Sequence, residues 1–178
     1  MIPYIDIFIQ NGTKIDRQYL VGRVRDVELG KNSSAVYIYS LADETVNYPN
    51  KPGHVLYIGE AGRLNEPTGK RFGQHISTGE SVGGDLGTIY ALSRYYWLGK
   101  RIRLQVFLVK DGQRKVHERD LLLAHVKEFG TLPMCQGTTG TCYTTNRMSA
   151  LVTSQDHLAL FSPASGIALC NQNDIAGS

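Results

Sequence analysis

Cysteine is scarce in this 178-residue chain: Cys135, Cys142 and Cys170 are the only three, and none forms a CxxC pair. A sparse, odd set excludes a disulfide framework, and Cys135 and Cys142 lack histidines at zinc-ligand spacing, so they read as ordinary thiols. The N-terminus carries no basic segment followed by an apolar signal core. Both observations lead us to expect a protein of the reducing cytoplasm. No run approaches the roughly 18 apolar residues that a bilayer crossing needs, so no membrane partner is expected and the chain should be soluble. Charge of one sign is lacking too: 19 Lys and Arg against 16 Asp and Glu give +3. That balance is too small to demand a nucleic-acid partner from composition, although it leaves room for a local basic patch. Internal repeats and extended low-complexity tracts are also absent.

What is present suffices for one ordinary domain with appendages, since 42% of the residues are hydrophobic. The chain is organised around Val55 to His75. Val55-Leu56-Tyr57-Ile58 reads as a strand, Gly59 and Gly62 end the run, and Gly69-Lys70-Arg71-Phe72-Gly73-Gln74-His75 reads as a short helix. On an α-helix, Arg71 and His75 at i and i+4 lie only about 40° apart. A permanent cation and a titratable imidazole on one face can hold a phosphate and handle a proton.

Taken in order, Tyr4 to Ile9 alternates, and Asn11-Gly12 favours a two-residue turn, so a hairpin returning over Ile15 to Val24 is expected. Arg17, Arg23 and Arg25 on that return can track a phosphate backbone, but a solvated charged strand is the plainer reading. Ala35 to Leu41 is β-branched and aromatic and reads as a strand, paired antiparallel with 55–59 through a long loop over Ala42 to His54. Alternation places Tyr37 and Tyr39 on one face. Ser77 to Gly87 reads as a glycine-rich loop, Thr88 to Leu98 as a helix and Ile102 to Val109 as a third strand, with arginines 101 and 103 on its basic side. Arg114 to Phe129 is the strongest helix, stopped by Gly130 and Pro133, with Leu121, Leu122, His125 and Phe129 as its core stripe. Glu118 lies at the N-terminal end of that stripe. A carboxylate there needs an arginine, a metal ion or solvent, unless it is simply exposed where the helix dipole favours it.

Tyr37, the triplet Tyr57-Ile58-Gly59, Arg71 with His75, and Glu118 follow the order and approximate spacing of the GIY-YIG nucleases, which the chain resembles over residues 34 to 133. The first signature triplet stands here as Ala35-Val36-Tyr37, and the second is intact. The resemblance implies an α/β (α+β) fold: a small three-stranded antiparallel sheet over 35–41, 54–59 and 102–109, flanked by helices. An N-terminal hairpin (1–33) and a loop-rich C-terminal extension (134–178) would flank that domain (34–133).

Hydrolysis of a phosphodiester needs a base for water, positive charge on the phosphate and a cation at the leaving oxygen. By resemblance, Glu118 would bind one Mg²⁺ or Mn²⁺ ion and Arg71 would stabilise the phosphorane, while Tyr37, Tyr57 and His75 share the network around the nucleophile. Gly59, Arg63, Lys70 and Gln136 would support the site. Arg63 or Lys70 would replace a basic residue the family often has where Glu60 stands, and Gln136, or more weakly Asn146, would replace an asparagine. The implied activity is metal-dependent DNA endonuclease, of a restriction, repair or mobile-element kind, with RNA left open and a homodimer as one way to cut both strands. A second reading keeps the fold without the catalysis, as a nucleic-acid-binding or protein-interaction module, to which Glu60 and the relaxed first triplet point.

Overall fold

A computed structural model describes residues 2–79, 87–136 and 155–162. The fold is mixed α+β. Its chain order is β1 (Ile5–Ile9), α1 (Arg17–Gly22), β2 (Ser34–Leu41), β3 (Val46–Asn47), β4 (Pro52–Gly53), β5 (Val55–Gly62), α2 (Gly87–Trp97), β6 (Ile102–Val109), α3 (Arg114–Phe129) and α4 (Gln155–Ala159). Short 3₁₀ helices cover Arg23–Arg25 and Thr68–Gln74. None of the described helices is long and apolar enough to cross a membrane.

The sheet has four strands rather than three, all antiparallel, in the order β1-β6-β2-β5. Strand β2 is central, and all eight of its residues are buried, which suits its continuous run of β-branched and aromatic side chains. Tyr37 lies opposite Gly59 and Tyr39 opposite Tyr57, so these four positions share a face of the sheet. The register slips between Tyr39 and Ser40, a bulge just past the two tyrosines.

The N-terminal hairpin does not form. Gly12 does turn, at φ +79°, and Gln10 N–H donates to the Ile15 carbonyl at 3.0 Å. The chain then leaves the strand conformation because Asp16 caps α1, accepting from Gln18 N–H at 2.7 Å and Tyr19 N–H at 3.3 Å. Strand β1 pairs with β6 instead, where Asp6 meets Arg103 through two charge-assisted bonds of 2.7 and 2.6 Å. Arg103 is therefore buried against that carboxylate, and Arg101 is tied to Asp43, so the basic side of β6 is largely neutralised. The long connection before β5 is also more ordered than its composition implies: β3 and β4 pair within it, and Asn50 N–H donates to the Phe129 carbonyl at 3.1 Å.

The segment carrying Arg71 and His75 is a 3₁₀ helix, with His75 as its C-cap, and not the α-helix expected. At three residues per turn, positions i and i+4 are roughly 120° apart rather than 40°, so helical phase alone does not bring these two side chains together. Close backbone packing accounts for the tighter winding. A Cβ on Gly69 would overlap the Arg23 carbonyl, and one on Gly73 would stand 3.2 Å from Val21 Cα. The N-terminal segment thus buttresses the helix that delivers His75. The expected loop over Ser77 to Gly87 lies mostly outside the described residues, as do Cys142, Asn146, Cys170 and most of the C-terminal extension.

Replacing Gly69 with alanine should force the 3₁₀ helix away from Arg23 and cost about 1–3 kcal/mol, the usual range for overpacking. Urea unfolding measures it; a loss of only a few tenths would show that this approach is not tight.

Candidate active site

Two tyrosines on β2 and the histidine after the 3₁₀ helix form the site's floor. The Tyr37 hydroxyl lies 3.1 Å from His75 Nε2 and the Tyr39 hydroxyl 2.7 Å from His75 Nδ1, so both ring nitrogens are engaged. All three side chains are buried, with Phe72 edge-on to Tyr37 at 5.3 Å between ring centres and to His75 at 5.6 Å. Burial, with a smaller contribution from the Arg71 charge, drives the His75 pKa down to about 3. The imidazole is therefore neutral at ordinary pH, with one protonated nitrogen and one acceptor.

Gly59 makes room for this arrangement. A Cβ there would stand 2.5 Å from the Tyr37 hydroxyl oxygen and 2.8 Å from Tyr57 Cε1. The glycine ending the Tyr-Ile-Gly triplet leaves the space through which one tyrosine reaches past the neighbouring strand. Tyr57, half-buried, stands above this gap with its ring centre 6.0 Å from that of Tyr37.

Arg71 supplies the local positive charge. Burial opposes its ionisation, but Tyr37, Tyr57 and Glu60 around it more than offset that, and its pKa is raised. In return the guanidinium lowers the pKa of both Tyr37 and Tyr57, although burial, the larger effect, leaves both raised overall. Arg71 and His75 thus act on the same tyrosine, and the sheet brings them together.

Glu118 arrives from the other side, along the free edge of β5. An edge strand exposes backbone groups that need partners, and here two are met by the chain that follows β6. Cys135 N–H donates to the Leu56 carbonyl at 2.8 Å and Ile58 N–H donates to Gln136 Oε1 at 3.3 Å, and next along the same edge the Glu60 N–H acts electrostatically on the Glu118 carboxylate. The Glu118 carboxylate also raises the pKa of Tyr57, which puts it within electrostatic reach of the tyrosine cluster. Its own pKa is pushed up to about 7, chiefly by burial and then by Glu60, with Lys115 and the Glu60 N–H working the other way.

The remaining expected residues sit differently. Arg63 and Lys70 both bind Glu66, Lys70 at 2.7 Å, and Arg63 also donates to Gln74 Oε1 at 3.0 Å. Neither is drawn to the tyrosines. The basic residue beside the signature triplet is instead Arg114, whose Nε donates to Glu60 Oε2 at 2.6 Å, one turn before Glu118 on α3. Sequence reasoning missed Arg114 and the part played by Tyr39. The i, i+4 spacing of Arg114 and Glu118 was a usable signal for the former, and the shared face of Tyr37 and Tyr39 for the latter.

Among the described residues no three of His, Cys, Asp and Glu cluster as a metal site. A hard divalent cation nevertheless fits the donors present. Glu118 is a desolvated carboxylate pressed by a second one, a state that a dication relieves, and Mg²⁺ commonly binds through one or two carboxylates while keeping water ligands. Glu118 would be the protein's principal oxygen donor to it, with Glu60 held back by Arg114.

Two substitutions test this geometry. Gly59→Ala should displace Tyr37 or Tyr57 and cost about 1–3 kcal/mol, read by denaturant unfolding; an unchanged midpoint would mean that the tyrosines do not fill the gap. For Glu118 the folded pKa is raised from 4.5 to about 7, so the stability tied to its neutral form is complete below pH 4.5 and lost as pH rises through 7. The melting temperature of Glu118→Gln should therefore gain on that of the wild type from pH 4.5 to 8, whereas a pH-independent difference would refute the raised pKa.

Comparison with protein-family models, with curated proteins and with solved structures found no match for this chain.

Proposed function

We propose that the protein is a metal-dependent endonuclease that hydrolyses phosphodiester bonds in DNA. The observation that carries this reading is the convergence of Tyr37, Tyr57, Arg71 and His75 around one gap in the sheet, with the Glu118 carboxylate coupled to Tyr57 from the β5 edge. A shared surface of phenols, a guanidinium and a desolvated carboxylate is what phosphoryl chemistry uses for its base, its charge stabilisation and its cation.

In this reading Tyr57, the half-buried phenol, orients the attacking water, and Tyr37 backs it from beneath. Arg71, whose ionised form Tyr37, Tyr57 and Glu60 favour, stabilises the charge that builds on the phosphate oxygens. His75 is a poor proton acceptor, because burial holds its pKa near 3, and it serves to hold the phenols. Glu118 would hold one Mg²⁺ or Mn²⁺ ion. When bound there, the cation supplies positive charge for the leaving oxygen. A homodimer would let two such sites cut both strands of a duplex.

The second reading, a binding module without catalysis, draws on one observation: Glu60 adds a second carboxylate beside Glu118 where a phosphate must approach. Its ion pair with Arg114 tempers that repulsion.

Supercoiled plasmid distinguishes the two. With Mg²⁺ or Mn²⁺ the wild type should cut or nick it, chelator should abolish cleavage, and Glu118→Ala and Arg71→Ala should each lose about 10²-fold or more in rate. Full activity in both variants would overturn the enzyme reading of this site, and a folded wild type that binds DNA or RNA without cutting would favour the module.

A further inference from the structure

We infer that Tyr39 is a positioning residue that fixes the tautomer of His75, so that the imidazole donates a hydrogen bond to Tyr37 and the Tyr37 proton points away from it, toward the open side of the site. Its consequence for rate rests on the nuclease reading, but the assignment of the proton does not.

The inference follows from counting donors and acceptors in a closed space. A neutral imidazole offers one N–H and one lone pair, and here each nitrogen faces a tyrosine hydroxyl, Tyr37 at 3.1 Å from Nε2 and Tyr39 at 2.7 Å from Nδ1. One tyrosine must therefore donate and the other accept. The Tyr39 hydroxyl is wholly buried, and among the described residues His75 Nδ1 is its one hydrogen-bond partner. If Nδ1 carried the proton, the hydroxyl hydrogen of Tyr39 would have no acceptor in the interior, an arrangement that folded proteins avoid. Tyr39 thus donates to Nδ1, and the short 2.7 Å separation agrees with an O–H donor. The ring proton must then sit on Nε2, aimed at the Tyr37 oxygen.

Tyr37 has somewhere else to send its own hydrogen. Its ring centre stands 6.0 Å from that of Tyr57, on whose pKa its hydroxyl acts as a hydrogen-bond donor would. The chain of protons runs from Tyr39 through His75 to the Tyr37 oxygen, whose ring stands beside the half-exposed Tyr57. With Nε2 donating to it, the Tyr37 oxygen accepts a hydrogen bond that the opposite tautomer would not supply. His75 cannot accept a proton in this arrangement, because one nitrogen is already protonated and the lone pair of the other is occupied.

Ring ¹⁵N NMR of the free protein reads the tautomer directly, with the His75 signals identified by their absence in His75→Gln. The wild type should show a protonated Nε2 and an unprotonated Nδ1, whereas a protonated Nδ1 would overturn the inference. Tyr39→Phe keeps the ring and removes only the hydroxyl. It should give averaged shifts of two tautomers and a cleavage rate at least tenfold lower at unchanged DNA affinity. An unaltered tautomer in a folded Tyr39→Phe would overturn the positioning role, and unaltered cleavage there would overturn its consequence for rate. The wild-type spectrum needs no variant, so the test survives if Tyr39→Phe fails to fold. A wild type with the expected tautomer that cleaves no nucleic acid would refute the nuclease reading and leave the proton assignment standing.

Discussion

A neutral imidazole closed between two tyrosine hydroxyls is the constraint on which the rest of this site depends. Both ring nitrogens of His75 are buried, and a buried polar atom without a partner is costly, so the fold must bring two hydroxyls to opposite ends of one small ring. Strand β2 does this because Tyr37 and Tyr39 are two residues apart and project on one face. The ring itself must come from outside the sheet, on a helix pressed close enough to the N-terminal segment that Gly69 admits no side chain. Gly59 completes the fit, since only a residue without Cβ leaves the opening that Tyr37 occupies. Each of these features loses its purpose if the imidazole is moved.

The second organising feature is the unpaired edge of β5. Its outward backbone groups at 56 and 58 demand partners, and the chain after β6 supplies them from Cys135 and Gln136. The carboxylate that the proposed chemistry needs is brought by α3 to the same edge, where the Glu60 N–H lowers its pKa. Gln136 has a structural task there, satisfying Ile58 N–H through its carbonyl oxygen.

Charge is arranged in two tiers around this framework. The outer cations Arg63 and Lys70 are drawn to Glu66, and Arg101 to Asp43, contacts that are exposed enough to contribute little to stability. The inner groups, Arg71, Glu118 and the tyrosines, are partly or wholly desolvated; Arg71 and the tyrosines shift one another's protonation, and Glu118 acts on Tyr57. Perturbed titration of this kind concentrates where proteins do chemistry, although ion-pair networks produce it too. The slight overall charge of the chain carried no hint of this local arrangement, because a total of 19 cations against 16 anions records no positions.

Several elements were legible in the residues alone. Hydrophobic pattern and β-branched content were enough for β2, β6 and the start of β5, which runs on through Gly59 to Gly62 instead of ending at the first glycine, and Gly130 at φ +84° ends α3 where a helix stop was read. The order of Tyr37, Tyr57, Arg71, His75 and Glu118 was legible as a set. What was not legible depended on partners distant in the chain. The first strand turned away from its expected hairpin because β6 offered Arg103 to Asp6, while Asp16 capped a helix on the local segment. The helix of Arg71 and His75 wound as 3₁₀ because of backbone packing against Val21 and Arg23, so the spacing argument that linked those two residues was replaced by their separate action on Tyr37, a hydrogen bond from His75 and the charge of Arg71. By itself, then, the sequence determined which side chains share a strand face and where the chain must turn, since those follow from local periodicity and backbone sterics. Only the tertiary structure decided which strand edge holds Glu118, which cation meets Glu60 and which nitrogen of His75 faces which tyrosine, since each depends on pairing buried groups that lie far apart along the chain.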